Sequence, residues 1–344
     1  MFGRNLYMPT LKDIATEAGV SVMTVSNVVN GNFSKVSPQT TARIQEIIKR
    51  LNYVPNFSAR SLVKNNSHII SVILRGEKNQ NPLKNPYNAI LLGTIISKIQ
   101  QQGYYAMINI MKSATDISKN LHTWNAEGAI LLGMFDDEIE KICSVSDIPI
   151  VFIDSYSNFR QLSNVGIDDY KGGQLAARYF IEKGHRSLAF IGPPSSHTSV
   201  IQQRFEGFCD ELETHGIPFD TRFRFSLKSD VDHQEMKVLA KTITEHKNEF
   251  TGAFVTSDQT ASLLMNLLRQ NGILIPDDLS LISFDNLEIC EQVTPQLTTI
   301  AQDLSQKAEL SVDILFRRLL TPNAPVESMV LDVSLIERNS VKAL

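Results

Sequence analysis

Three cysteines in 344 residues are few, odd in number and far apart. Cys143, Cys209 and Cys290 therefore exclude a disulfide framework or a cysteine zinc site, and read as buried free thiols in a reducing compartment. No apolar run approaches the roughly 20 residues that a membrane span requires. Residues 1–7 (MFGRNLY) are too short and too polar for a secretory leader. The expected location is the cytoplasm, with no membrane partner. "MPTLKDIA" reads as a second start at Met8, which makes the preceding residues an extension. The seven histidines are scattered, with no ligand pair at helical spacing, so no metal is expected. His185 in "EKGHRSLAF" reads as a helix-end packing residue. There is no G-x-x-x-x-G-K-[ST] loop and no G-x-G-x-x-G after a strand, so no phosphate cradle, cofactor or sugar-kinase chemistry is expected.

What is present is an uneven charge. The net charge is −4, yet residues 1–66 carry eight Lys/Arg against three Asp/Glu, leaving 25 against 34 for the rest. A basic head on an acidic body suits an anionic partner for the head. The length calls for more than one domain.

From residue 68 onward, compact apolar runs recur: "IISVIL", "YAMINI", "GAILLG", "IPIVFID", "SLAFIG", "GAFVTS" and "LSLISFD". Between them lie amphipathic stretches such as "GQLAARYFIEKG" and "ASLLMNLLRQNG", most ending in glycine. Continuous apolar strands alternating with helices imply parallel sheets covered on both faces, an α/β doubly wound arrangement. About 270 residues of this pattern suit two similar lobes.

Residues 10–53 show helix signals and no strand run. Thr10 with Asp13 forms an N-terminal cap. Gly19 permits a left-handed turn, Ser21 caps a second helix, and Ser37-Pro38 opens a third with Ile44, Ile47, Ile48 and Leu51 on one stripe. Ile14, Val20, Val25 and Val28 face a small core, with Ala15 allowing close approach. Ser21, Val22, Met23, Ser26, Asn27 and Asn30 remain outside. That is helix-turn-helix spacing, whose second helix lies in the major groove of DNA. A polar, proline-containing linker follows.

"TLKDIATEAGVSVMTVSNVVNG", "KVSPQTTARI" and "LNYVPNFSARSL" together resemble the amino-terminal domain and hinge of the LacI/GalR family of bacterial transcription regulators. The resemblance runs on through "EGAILLG", "IPIVFIDS", "VGIDDYKGGQLAARYFIEKGHRSLAFIG", "RFEGFCDEL", "TSDQTA", "IPDDLSLISFDN" and "TPQLTTIAQDL", over about residues 8–340. It implies an all-α helix-turn-helix domain at 8–53 and a hinge helix and linker at 54–67. A two-lobed periplasmic-binding-protein-like core then spans 68–344. The expected first lobe takes about 68–164 and 294–324, the second 165–293 and 325–340.

The resemblance also implies roles. Val22, Met23 and Asn27 occupy base-reading positions: Asn pairs with adenine, Val and Met touch thymine methyls, and no Arg in this helix supplies the strong guanine contact. Ser21, Thr24 and Ser26 carry hydroxyls suited to phosphates. Leu62 matches the hinge leucine that wedges into a minor-groove base step, with Asn56, Ala59 and Arg60 in the same motif. Asp154, Asp258 and Asp285 follow strands, where an open α/β sheet holds ligands. Arg204 offers a bidentate donor and Tyr87 a ring face. The same acids also suit helix capping.

Two stretches depart from the family pattern, "RGEKNQNPLKNPYN" and "RFRFSLKSDVDHQEM", and both are expected at the pocket mouth. Thr198 stands where purine-responsive relatives carry a second arginine, and the many acids favour a sugar or sugar derivative. The expectation is a dimeric repressor, not an enzyme, that binds a near-palindromic double-stranded DNA operator under allosteric control by that effector. A transporter's solute-binding component would need an export signal and would have no use for the head.

Overall fold

The structure is a computed structural model and describes residues 9–53, 66–76, 81–111, 113–134, 136–144, 147–157, 161–194, 199–227, 233–321 and 324–344. The chain divides into two compact units, Met1–Ser67 and His68–Leu344.

The first unit holds α1 (Leu11–Ala18), α2 (Val22–Val29) and α3 (Pro38–Arg50). Thr10 and Asp13 close a capping box on α1, satisfying two N–H groups that the helix start leaves unpaired. Gly19 ends α1 at φ 63°, a backbone that costs glycine little. The Ser21 hydroxyl accepts from the Thr24 amide to start α2, and Ser37-Pro38 starts α3. Ile14, Ala15, Ala18, Val25, Val28, Ile44 and Ile47 form the core, with Leu11, Val20, Ile48 and Leu51 packed against it.

The second unit contains two six-stranded sheets. In chain order the elements are β1 (Ile69–Arg75), α4 (Pro86–Gln101), β2 (Tyr105–Met111), α5 (Ala114–Thr123), β3 (Gly128–Leu132), α6 (Asp136–Ser144), β4 (Ile150–Ile153) and β5 (Asn164–Ile167). Then come α7 (Asp169–Glu182), β6 (Leu188–Gly192), α8 (Val200–Thr214), β7 (Arg224–Ser226), α9 (His233–Glu245), β8 (Gly252–Val255) and α10 (Asp258–Gln270). The chain closes with β9 (Ser280–Asp285), α11 (Ile289–Gln292), β10 (Thr298–Ala301), α12 (Leu304–Leu320), β11 (Ser328–Leu331) and β12 (Ser334–Ile336). The first sheet has the order β11-β5-β4-β3-β1-β2, and the second β12-β10-β9-β8-β6-β7. Among the described residues every pairing is parallel except β12 with β10.

Side-chain alternation explains why the strands read as unbroken apolar runs. In β1, Ile70, Val72 and Leu74 face α4 and α12, while Ile73 faces the layer of Ile117, Leu121, Ile139 and Ile142. In β6, Leu188 and Phe190 face α7 and α8, while Ala189 and Ile191 face α9 and α10.

The lobe limits differ from those expected. β5 and β11 belong to the first sheet and β10 to the second. The chain therefore changes lobe after 167, after 301 and after 331, not at 164, 293 and 324. Each change falls at the carboxyl end of a strand, where a parallel strand delivers the chain to the cleft between the sheets. Composition breaks such as the one at Pro295 fall inside a lobe, and strand pairing alone locates the crossings.

Candidate functional site

In the first unit, α2 presents one face to the core and one to solvent. Val25 and Val28 are buried, whereas Val22 is 45% and Met23 70% exposed. Ser21 is exposed too; Thr24, Ser26 and Asn27 are half-buried. Large apolar side chains left in water on a short helix mark a contact surface, because burial in the core was open to them only on the other face. The hydroxyls of Ser21 and Thr24 lie 2.9 Å apart, and Ser26 accepts from the Asn30 amide. Ser21 thus serves as the helix cap. Asn56, Ala59, Arg60 and Leu62 lie outside the described residues, as does Thr198.

In the second unit a cavity of about 400 Å³ opens where the strands of both sheets end, a volume suited to a small ligand. Tyr87, Asp154, Arg204 and Asp285 line it together. Asp154 and Asp285 end strands at φ 52° and φ 115°. Non-glycine residues held in that region store strain, which concentrates at functional positions. The described part of the first departing stretch, including Asn81, Pro82, Lys84 and Asn85, lies at the cleft, and the second departing stretch contributes nothing to its wall among the described residues.

Asp258 is placed differently from the sequence expectation. It is fully buried and absent from the cavity wall. Its carboxylate accepts from the Ser283 hydroxyl at 2.6 Å, the Thr299 hydroxyl at 2.7 Å and the Leu287 amide at 2.6 Å. It ties β9, β10 and the start of α10 together. The physical reason is its first-turn position, which turns the side chain under the strand ends; the flanking Ser257 and Gln259 line the cleft instead.

Behind the wall lies a lysine that the sequence reading did not single out. Lys307 on α12 is fully buried. Its Nζ donates to Asp154 Oδ1 at 2.7 Å, Gln302 Oε1 at 2.6 Å and the Tyr87 hydroxyl at 3.2 Å. The Tyr87 hydroxyl in turn donates to Asp154 Oδ2. Gln302 Nε2 reaches Asp285 Oδ1 at 2.6 Å, so one chain of hydrogen bonds links the two lobes. Leu304, Ala308 and Ser311 are buried on the same helix, and a residue at the spacing of 307 shares their face. That periodicity was the available signal. Asp169 was also missed: it accepts from Arg204 Nε at 2.8 Å, while Arg204 Nη1 donates to the Thr256 carbonyl at 2.7 Å. The guanidinium stacks on Phe284 at 3.5 Å.

Two cations thus face three carboxylates in a largely buried floor. Burial pushes the Asp285 carboxyl up to about 8, opposed by Arg204 and reinforced by Asp258. Burial likewise lifts Asp169 to about 6, against the pull of Arg204. A folded-state value of about 8 against roughly 4 in the unfolded chain means that folding retains a proton at Asp285. The stability from this group is complete below about pH 4 and is lost as pH rises through about 8. Between pH 7 and pH 9 the expected loss is about 1 kcal/mol, or roughly 2 °C in Tm. Burial also raises Cys209, to about 12, which adds a fall of the same sign near pH 9. Thermal unfolding of the wild type beside Asp285→Asn isolates the carboxyl, and an equal slope in both removes it as the cause.

No group of three or more His, Cys, Asp or Glu stands ready to hold a metal, and no helix is long and apolar enough to cross a membrane, among the described residues.

Comparison with known proteins agrees with both halves. The profile of "Bacterial regulatory proteins, lacI family" matches residues 10–56, and that of "Periplasmic binding protein-like domain" matches residues 177–341. The "HTH-type transcriptional regulator MalR" of Clostridium butyricum is 30% identical over 343 residues, covering 96% of this chain and 98% of its own. The "Probable HTH-type transcriptional repressor ExuR" of Bacillus subtilis (strain 168) is 29% identical over 342 residues, covering 98% and 99%. The structure of the Lac repressor dimer bound to operator and the anti-inducer ONPF superposes with a TM-score of 0.84 at 25% identity, over 98% of this chain and 100% of that one. With a solvent-facing helix-turn-helix, a ligand-sized cleft between two parallel sheets and relatives matched end to end, this chain belongs to the LacI family of bacterial regulatory proteins.

Proposed function

We propose that the protein is a transcriptional repressor that binds a near-palindromic operator as a homodimer, with a sugar-like effector in the cleft setting its affinity for DNA. The observation that carries this reading is the divided α2, with Val25 and Val28 in the core and Val22 and Met23 in solvent. Met23, Val22 and Asn27 supply apolar contacts for thymine methyls and a bidentate partner for adenine. Two heads related by a two-fold axis would read two half-sites about one helical turn apart. In the cleft, Asp285 and Arg204 from one lobe and Tyr87 and Asp154 from the other line one cavity. A ligand touching both lobes favours one lobe arrangement, and its differential affinity becomes the coupling to DNA. A Lac repressor dimer with operator and an anti-inducer bound is similar to this chain over nearly its full length, which supports the same division of labour.

Selection of random duplex DNA by the full chain tests the reading. The expected result is a near-palindrome rich in A·T at its contacted positions, lost from a chain without residues 1–66. Enrichment that survives removal of the head would overturn it.

A further inference from the structure

The acids of the cleft suggest a neutral polyol until their hydrogen bonds are followed. Asp154 accepts from Lys307 and Tyr87, one on each oxygen. Asp169 accepts from Arg204 on one oxygen and from the Tyr156 hydroxyl on the other. Among the wall carboxylates, only Asp285 Oδ2 is left without a partner among the described residues, since Gln302 takes Oδ1.

The donors run the other way. Arg204 is 7% exposed, and its Nη2 group makes no hydrogen bond among the described residues while Nε and Nη1 are used. Asn81 and Asn85 spend their carbonyl oxygens on the Leu83 and Tyr87 amides, which leaves both side-chain NH2 groups unspent at the lip. Lys84 lies on the same lip, exposed and outside any ion pair among the described residues. The first turns of α4, α8 and α10 supply Tyr87, Val200 and Gln259 to the wall, so three helix N-termini face the cavity. Each brings partial positive charge, although Asn85, Ser199 and Ser257 cap one amide apiece. Against these stand two side-chain acceptors without a hydrogen-bond partner among the described residues, Asn88 Oδ1 and the orphaned, buried Gln259 Oε1.

From this surplus of donors over acceptors we infer that the effector is a polyhydroxylated anion, a sugar carrying a carboxylate or a phosphate, with its charged group on Arg204. The inference rests on the reading of the cleft as the effector site. A charge-assisted pair with a buried, stacked guanidinium is strong because neither partner needs reorganising on binding. Asn88 and Gln259 then accept from the hydroxyls of the same ligand.

Calorimetry on the full chain tests this with D-glucuronate against D-glucose, D-galacturonate against D-galactose, and each hexose 6-phosphate against its parent. At least one anion is expected to bind at least about tenfold more tightly than its neutral parent. The carboxylate and phosphate arms decide which oxyanion the site takes. Lys84→Gln is expected to weaken the anion about threefold and the neutral parent by less. Neutral sugars binding as tightly as their acids would overturn the inference and leave a sugar effector standing. Silence from the whole panel would overturn it as well, while DNA selection still reports separately on the regulator.

Discussion

Lys307→Met is expected to cost about 3–5 kcal/mol in stability, measured as a shift of the urea midpoint of the full chain. Methionine matches the length of the lysine stem and keeps the packing of α12, so the loss is that of one charge. Its removal leaves Asp154, whose side chain is 15% exposed, without its cation, and leaves Gln302 Oε1 without a donor. An unpaired charge in a largely buried site costs more than the pair is worth, so replacing both partners should recover much of the loss. Lys307→Met with Asp154→Asn is therefore expected to lie closer to the wild type than Lys307→Met alone. If the double replacement is as unstable as the sum of the two single ones, the ion pair is not what holds this floor.

Gly207→Ala is the second large effect, about 3 kcal/mol of destabilisation. A Cβ at this position of α8 would stand 1.9 Å from the carbonyl oxygen of Tyr170 on α7, and one at Gly173 would stand 2.0 Å from that of Arg204. The two helices cross backbone to backbone, and this crossing sets Arg204 beside Asp169. Forcing it apart should also weaken ligand binding at Arg204. On α4, Gly93 has open space around a built Cβ, so Gly93→Ala should stabilise by about 0.5–1 kcal/mol through helix propensity alone. Paired thermal melts give opposite signs if contact distance governs, and equal signs if propensity does.

The parts of this molecule that were legible in the sequence are those fixed by short-range chemistry. Thr10-Asp13, Gly19, Ser21 and Ser37-Pro38 each announce a helix end, because caps and left-handed turns admit few residues. The apolar runs announce parallel strands because both faces are covered. Tyr87, Asp154, Arg204 and Asp285 were legible as a group because strand ends and a family pattern point to one place. Asp258 was not, since a first-turn acid can turn toward a ligand or under the sheet, and only the positions of Ser283 and Thr299 decide. Lys307 was hidden by its charge, which reads as surface although its helical spacing places it on the buried stripe. The carboxylates that favoured a sugar or sugar derivative are largely paired inside the protein, with partners that stand from 13 to 153 positions away in the chain.

The proposed regulation requires α2 to read bases, and one measurement tests this. Fluorescence anisotropy of the selected operator, with each base pair replaced in turn, is compared between the wild type and Asn27→Ala. The predicted result is a loss of preference of about 1–3 kcal/mol at one symmetric pair of positions, with discrimination elsewhere intact. A uniform weakening at every position, or none, would contradict the account and leave α2 as a surface that touches DNA without reading it.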